Sequence, residues 1–507
     1  MFTRRGALRL LSAGIFAPYL SLARARQKDD CPPLGLNLSG TAWWASEQPF
    51  ANLAHNAAPW RLQVRDAPFT WDEPLPPLTP DGYPLHVPEE SFVDSFLIFT
   101  PHRQHLPATL FLHYEGQGRL AYLGGAELQE RSEGYERVRN LRRPDPFTLR
   151  LVHTDPDDPV RNIRLLEQKE PALETFRPEF LDRLRGMSVL RFMDWMATNN
   201  APLARWGERP APSSFGRSAR GVALETMIEL ANRTGIPPWF NMPHKAQDDY
   251  VIHFADQVLR DLDPDLPVYV EYSNEVWNTM FDQAAYAREQ GLALELSPDP
   301  YEAQLRFYAR RTTEILQMWE QVFEEQASRV LGVYAAQSAN PWTSEIILNS
   351  PQFPKHADVL AVAPYFGGSL GSPEAAPQVQ NWSLDRLFTA LKEEVEGENR
   401  RQIRSQAAIA RRHGLLLAAY EGGQHLVGSG GMENNERLSE LFVAANRDAR
   451  MGELYARHLA IWNQAGGGPY ALFASMAEPS KWGSWGLLEF EGDRQPRWDT
   501  IRRLLDL

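Results

Sequence analysis

The chain has 507 residues, 43% of them hydrophobic, and a net charge of −13. No internal apolar run reaches the ~18 residues that a membrane span needs, and an acidic surface argues against nucleic acid or an anionic membrane as the main partner. Cys31 is the only cysteine, so neither an internal disulfide nor a thiolate metal cluster can form.

Residues 1–25 read as an address. Thr3-Arg4-Arg5-Gly6-Ala7-Leu8-Arg9 precedes a moderately apolar stretch, and Ala23-Arg24-Ala25 offers small residues at a cleavage site. Paired arginines before a weakly apolar core resemble a twin-arginine export signal, so a periplasmic or secreted protein is expected. A first strand is expected over 35–40, within a strand-and-loop segment at 34–60. From 61 to 168 the texture changes to Pro- and Gly-rich sequence with little helical periodicity. Short runs at 109–114, 119–123, 147–152 and 160–166 alternate in part, as half-buried antiparallel strands do. They predict an inserted β-sandwich of on the order of 100 residues.

Over 169–507, short apolar runs alternate with helical patterns. The runs are 189–193, 238–242, 268–273, 330–336, 359–365, 415–421 and 470–476. Most lack strict alternation, as expected for parallel strands buried on both faces. Helices are expected over 218–233, 249–262, 301–325, 384–413, 437–464 and 496–507, with room for more than one in 384–413 and in 437–464. With the upstream strand the count is eight, which places the chain in the α/β class as a (β/α)8 TIM barrel carrying a β-sandwich after its first strand. An open doubly wound sheet is the competing fold, and no G-x-G-x-x-G opening a helix supports it.

In such barrels functional side chains come from the C-terminal ends of the strands. The fourth strand ends in Glu271-Tyr272-Ser273-Asn274-Glu275-Val276-Trp277-Asn278, and the seventh ends in Tyr420-Glu421-Gly422-Gly423. Each puts a glutamate at the mouth. Two carboxyl groups flanking a sugar bond are the apparatus of glycoside hydrolysis, one donating a proton and one attacking the anomeric carbon. Glu271, inside the strand, is expected to be a buried partner, Asp194 a candidate partner of Arg191, and Glu478 a further carboxylate near the mouth. The chain holds 15 tryptophans. Of these Trp43, Trp44, Trp195, Trp239, Trp277, Trp342, Trp482 and Trp485 fall near strand ends, and Trp277 and Trp482 are expected to line a glycan cleft. No Gly-x-Ser-x-Gly elbow with a partnered His, no His-Glu-x-x-His and no phosphate loop is present. No metal or other cofactor is expected.

On Asn274-Glu275 and Glu421-Gly422-Gly423, taken with the order of the strands, the chain resembles the clan A glycoside hydrolases, retaining enzymes on a (β/α)8 barrel. The resemblance implies that Glu275 is the acid/base, Glu421 the nucleophile and Asn274 a donor to the sugar 2-hydroxyl. It further implies Arg191 near the nucleophile, His244 as a substrate contact, Tyr365 bonded to the nucleophile and Trp482 stacked on a sugar. Glu-Tyr-Ser-Asn-Glu-Val-Trp-Asn departs from the commoner Asn-Glu-Pro version of the motif. Similar chains are sometimes labelled cellulose-binding proteins. The expectation is an exported retaining glycosidase of the endo-β-glucanase kind, acting on polysaccharide or oligosaccharide by double displacement. A non-catalytic glycan-binding protein and an exo-acting β-glycosidase are the alternatives.

Overall fold

A computed structural model describes residues 31–99, 105–132, 134–141, 144–170, 174–217, 220–351 and 356–507, and the export signal expected over 1–25 lies outside them. β1 (Leu34–Asn37) is followed by a first group of strands: β2 (Arg61–Val64), β3 (Ser91–Ile98), β4 (Thr109–Glu115), β5 (Gly118–Gly124), β6 (Ala126–Ser132), β7 (Tyr135–Asn140), β8 (Phe147–Thr154) and β9 (Arg161–Leu166). A second group follows: β10 (Leu190–Arg191), β11 (Pro238–Met242), β12 (Val268–Tyr272), β13 (Val330–Ala335), β14 (Val359–Val362), β15 (Leu416–Ala419) and β16 (Tyr470–Leu472).

β1 and β10–β16 close into one barrel in that order, and all neighbouring pairs are parallel. Every residue of β11, β12 and β14 is buried, which is why their sequences show no polar alternation. Register sets the level at which polar side chains meet. Asn37 at the end of β1 pairs with Arg191 at the end of β10, so their side chains start from one level of the barrel.

The helices outside the barrel carry ordinary start and stop signals. Asp299 accepts from the Glu302 amide and Pro300 occupies the first turn of Pro300–Phe323. The pattern over 384–413 resolves into Leu384–Glu394, a π turn at Val395–Asn399 and Arg400–Arg412. That over 437–464 resolves into Glu436–Arg447 and Ala449–Gln464, with Asp448 ending one and capping the next. The helix expected from 218 begins at Leu224. Four α-helices among the described residues were not legible in the sequence, Pro178–Arg183, Asp282–Ala293, Pro341–Leu348 and Ala376–Val379. Asp282–Ala293 is alanine- and glutamine-rich with few large apolar residues, and Pro341–Leu348 is only two turns long.

Between β1 and β10 lie two antiparallel four-stranded sheets, ordered β2-β3-β8-β5 and β6-β7-β4-β9. They share one hydrophobic cluster, with Val93, Leu97, Leu149 and Leu151 from the first and Leu110, Leu112, Val138 and Ile163 from the second. Along β3, Val93, Ser95 and Leu97 are buried, while Phe92 and Phe96 are only partly covered on the other face.

Candidate active site

Arg191 is the hub. Its side chain has no exposed surface, and a buried guanidinium must spend its donors on acceptors. Nη1 donates to Asn37 Oδ1 at 3.1 Å and to Glu421 Oε1 at 2.9 Å. Nη2 donates to Asn274 Oδ1 at 2.8 Å, and Nε and Nη2 both donate to the Glu271 carboxylate. Glu271 also accepts from Trp239 Nε1 and Asn241 Nδ2, each at 2.8 Å. It is the buried partner expected from its place inside the strand. Asp194 is not the partner of Arg191: the ion pairs of that guanidinium run to Glu271 and Glu421.

Glu421 leaves the end of β15. Oε1 accepts from Arg191 Nη1 and Oε2 accepts from Tyr365 Oη at 3.0 Å. Gly422-Gly423 does more than turn the chain there. A Cβ on Gly422 would fall 2.1 Å from Tyr470 Oη, and one on Gly423, at φ 141°, 2.6 Å from Tyr455 Oη. The backbone packs against two tyrosines at a distance only glycine permits.

Glu275 follows β12 in a backbone that is itself unusual. Ser273 and Glu275 have φ of 59° and 43°, a left-handed conformation that costs a non-glycine residue on the order of 1–2 kcal/mol. The two flank Asn274, and the resulting bend presents Asn274 to Arg191 and Glu275 to Tyr420. Tyr420 Oη donates to Glu275 Oε1 at 3.0 Å and accepts from Trp277 Nε1 at 3.2 Å. Asn278 Nδ2 donates to Glu275 Oε2 at 2.9 Å. Asn274 Nδ2 donates to Asn199 Oδ1 at 3.1 Å.

The electrostatics separate the two carboxyl groups. Burial, then the charge of Glu421, push Glu275 up to about 7. Burial raises Glu421 as well, but the Arg191 charge, its hydrogen bond and Tyr365 Oη act against it. Glu275 is therefore the group that keeps a proton near neutrality. Burial, then the carboxylates, hold Tyr365 and Tyr420 well above the usual phenol range, so both stay donors. Asp194 is also at this level. Burial and then Glu421 push it to about 7 against the pull of Arg191.

The remaining expected residues divide. Trp277 is half-buried and anchors Tyr420 through its indole N–H. Tyr365 lies beyond the end of β14, which stops at Val362, yet reaches Glu421. His244 is buried with both ring nitrogens unpaired, and burial and then Lys245 lower it to about 4, so it is a neutral imidazole. Its ring lies against Tyr286 at 5.5 Å. Trp482 is 61% exposed, and its backbone carbonyl accepts from Trp485 Nε1. Trp485, not Trp482, touches the network: its ring is 5.8 Å from Tyr365 and 5.0 Å from His425. Trp195 and Trp239 are fully buried and belong to the core. Asn37, Tyr420, Asn278 and Trp485 were not singled out from sequence as parts of this network. Tyr420 carried a signal in its place beside Glu421, and Asn37 in ending the first strand.

No protein-family profile matches the chain, and no curated protein matches it. Among solved structures it is similar to a GH5-4 broad specificity endoglucanase from Clostridium acetobutylicum, at 11% identity and TM-score 0.39, over 67% of this chain and 91% of that one. A modular endo-β-1,4-mannanase of glycoside hydrolase family 26 from Cellulomonas fimi is similar at 13% identity and TM-score 0.31, over 62% of each chain. Fungal β-1,4-galactanases are similar at 12% identity and TM-score 0.33, over 65% of this chain and 91% of theirs.

Proposed function

We propose that the chain is a retaining glycoside hydrolase of the clan A kind that cleaves β-linked polysaccharide within the chain. The observation that carries the reading is the electrostatic pairing of Glu275 with Glu421, one carboxyl kept protonated near pH 7 and the other gripped by Arg191 and Tyr365. Glycoside cleavage with retention needs that asymmetry.

In the first step the Glu421 carboxylate bonds to the anomeric carbon. The glycosidic C–O bond breaks and its electron pair goes to the leaving oxygen, which takes the proton of Glu275. In the second, water attacks the anomeric carbon, gives a proton to the Glu275 carboxylate and releases Glu421. Arg191 and Tyr365 orient the attacking oxygens, and Tyr420 and Asn278 orient the acid. Arg191 fixes Asn274 by its oxygen and Asn199 accepts one of its amide hydrogens, which leaves the second amide N–H for the 2-hydroxyl. An open cleft is supported by Trp342 and Trp482, 42% and 61% exposed, on the segments after β13 and β16. On this reading 34–60 and 169–507 form the catalytic barrel, 61–168 form an inserted sandwich, and residues 1–25 send the protein out of the cytoplasm.

A polysaccharide screen of wild type against Glu275→Ala and Glu421→Ala tests it. Wild type should release reducing ends and neither variant should. Turnover that survives both substitutions would remove the catalytic assignment.

A further inference from the structure

Outside the barrel, the outer face of the β2-β3-β8-β5 sheet carries a row of aromatic rings that the Glu275–Glu421 chemistry does not use. Trp71 and Phe69 meet edge to face at 5.0 Å. Both pack on Phe96 of β3, Phe69 in parallel at 5.9 Å and Trp71 at 5.8 Å. Phe96 meets Trp43 at 4.8 Å, and Trp43 meets Trp44 at 5.5 Å. The two ends of the row stay open: Trp44 at one end is 59% exposed, and Phe69 and Trp71 at the other are 48% and 49% exposed. Half-covered rings of this size, gathered in one place, mark an interaction surface.

The rings are held where they are by polar bonds. After β2 the chain doubles back, and the Gln63 side chain grips Thr70 twice, Nε2 to its carbonyl at 2.9 Å and Oε1 from its amide at 3.2 Å. Arg61 donates to the Trp71 carbonyl at 3.1 Å and lies 4.3 Å from the Trp71 ring. Further along β3 the same face carries Phe92, with Arg150 above it at 4.3 Å and bonded through both nitrogens to Asp94. Flat apolar faces therefore alternate with fixed guanidinium and carboxylate groups. A sugar ring offers the same combination, an apolar face of C–H groups and an edge of hydroxyls.

One end of the row is joined to the barrel by a short segment of chain. Trp43-Trp44 belongs to the segment that leaves β1, whose last residue, Asn37, binds Arg191. Seven residues span at most about 25 Å. The Phe99 amide donates to the Trp43 carbonyl at 2.6 Å and ties that segment to the chain just after β3.

We propose that this row is a second glycan-binding surface, which holds a β-linked polysaccharide strand outside the barrel and leads it toward the Glu275–Glu421 cleft. The choice of occupant rests on the proposed function; the surface itself does not.

The test uses the full chain carrying Glu275→Gln, so that polymer is bound and not consumed, with cellulose, mixed-linkage β-glucan, β-mannan and β-galactan as probes. Phe69→Ala with Trp71→Ala should weaken retention on the bound polymer at least tenfold, and Trp71→Tyr should restore most of it. Trp71→Leu, which keeps apolar area but no ring, should bind as weakly as alanine. In the background with Glu275 intact, the same surface variants should hydrolyse an aryl β-cellobioside at the wild-type rate, which shows that they are folded. Retention unchanged by the double alanine variant overturns the proposal, as does failure of the Glu275→Gln chain to bind any of the four polymers. So does a wild-type dimer in sedimentation that the alanine variant abolishes, because the rings would then be an interface between copies. If polymer binding depends on the rings while wild type cleaves none of the probes, the proposed function fails and this surface stands.

Discussion

Tyr420 Oη donates to Glu275 Oε1 at 3.0 Å, and the next residue in the chain is Glu421. One dipeptide thus supplies one carboxyl group and the hydrogen bond that orients the other. The Asn37 side chain donates to the Tyr420 carbonyl at 2.9 Å and accepts from Arg191. Glu275 and Glu421 are tied to the same short piece of backbone.

The two tyrosines should therefore move opposite limbs of the pH profile. The Tyr420 bond favours ionised Glu275, so Tyr420→Phe should raise the pKa of the acid and carry the basic limb of kcat/KM upward from about pH 7. The Tyr365 bond favours ionised Glu421, so Tyr365→Phe should raise the acidic limb and leave the basic one in place. Losing one charge-assisted bond, worth about 1.5–3 kcal/mol, corresponds to a fall of roughly 10- to 100-fold in kcat. Profiles that shift together in both variants would contradict the division of roles.

The strands were legible because burial on both faces leaves unbroken apolar runs, and the glutamates because each terminates such a run. Tyr420 and Asn37 were harder to see. Their importance comes from hydrogen bonds between segments as far apart as Asn37 and Tyr420, and no local spacing encodes a bond of that kind. The contact of Trp485 with Tyr365 was hidden for a related reason. Trp482 and Trp485 sit three residues apart in one loop, and only the folded loop decides which indole turns toward Tyr365. The pairing of Arg191 with Glu271 and Glu421 in place of nearby Asp194 is also set by barrel register and not by sequence distance.

Asp194 feels the charge of Glu421 but stays neutral while Glu421 titrates, so its removal should leave Glu421 undisturbed. Burial and Glu421 hold it near pH 7. On the acidic limb Asp194 is still protonated and neutral, so Asp194→Asn should leave the pKa of Glu421 where it is and both limbs of kcat/KM in place. A pH series on an aryl β-glycoside checks this. Disappearance of the basic limb in Asp194→Asn would transfer the acid role away from Glu275.

The same acid should cost stability in alkaline solution. A carboxyl whose folded pKa is raised binds more protons folded than unfolded, so its stabilising contribution is complete below its unfolded pKa, near 4.5, and is lost as pH rises through about 7. Glu275→Gln should therefore melt close to wild type at pH 4.5 and higher than wild type at pH 8. The shift sets an upper bound of about 3 kcal/mol at pH 8, reduced wherever water reaches the carboxyl. Urea denaturation at the two pH values measures it, and equal differences at both would mean that Glu275 titrates normally in the fold.

Arg191 joins the fold to the chemistry, and the two contributions can be separated. Arg191→Met leaves Glu271 ionised and buried, with Trp239 and Asn241 as its remaining donors. Breaking such a pair costs about 3–5 kcal/mol. Adding Glu271→Gln removes the stranded charge, and the double variant should recover most of that loss in a urea melt. Activity should not return with it. Glu421 would still lack the guanidinium that opposes its burial, so its pKa would remain high and the fraction able to attack at pH 7 would stay small. A double variant that regained both stability and kcat would reduce Arg191 to a structural ion pair, and orientation of the nucleophile would then rest on Tyr365 alone.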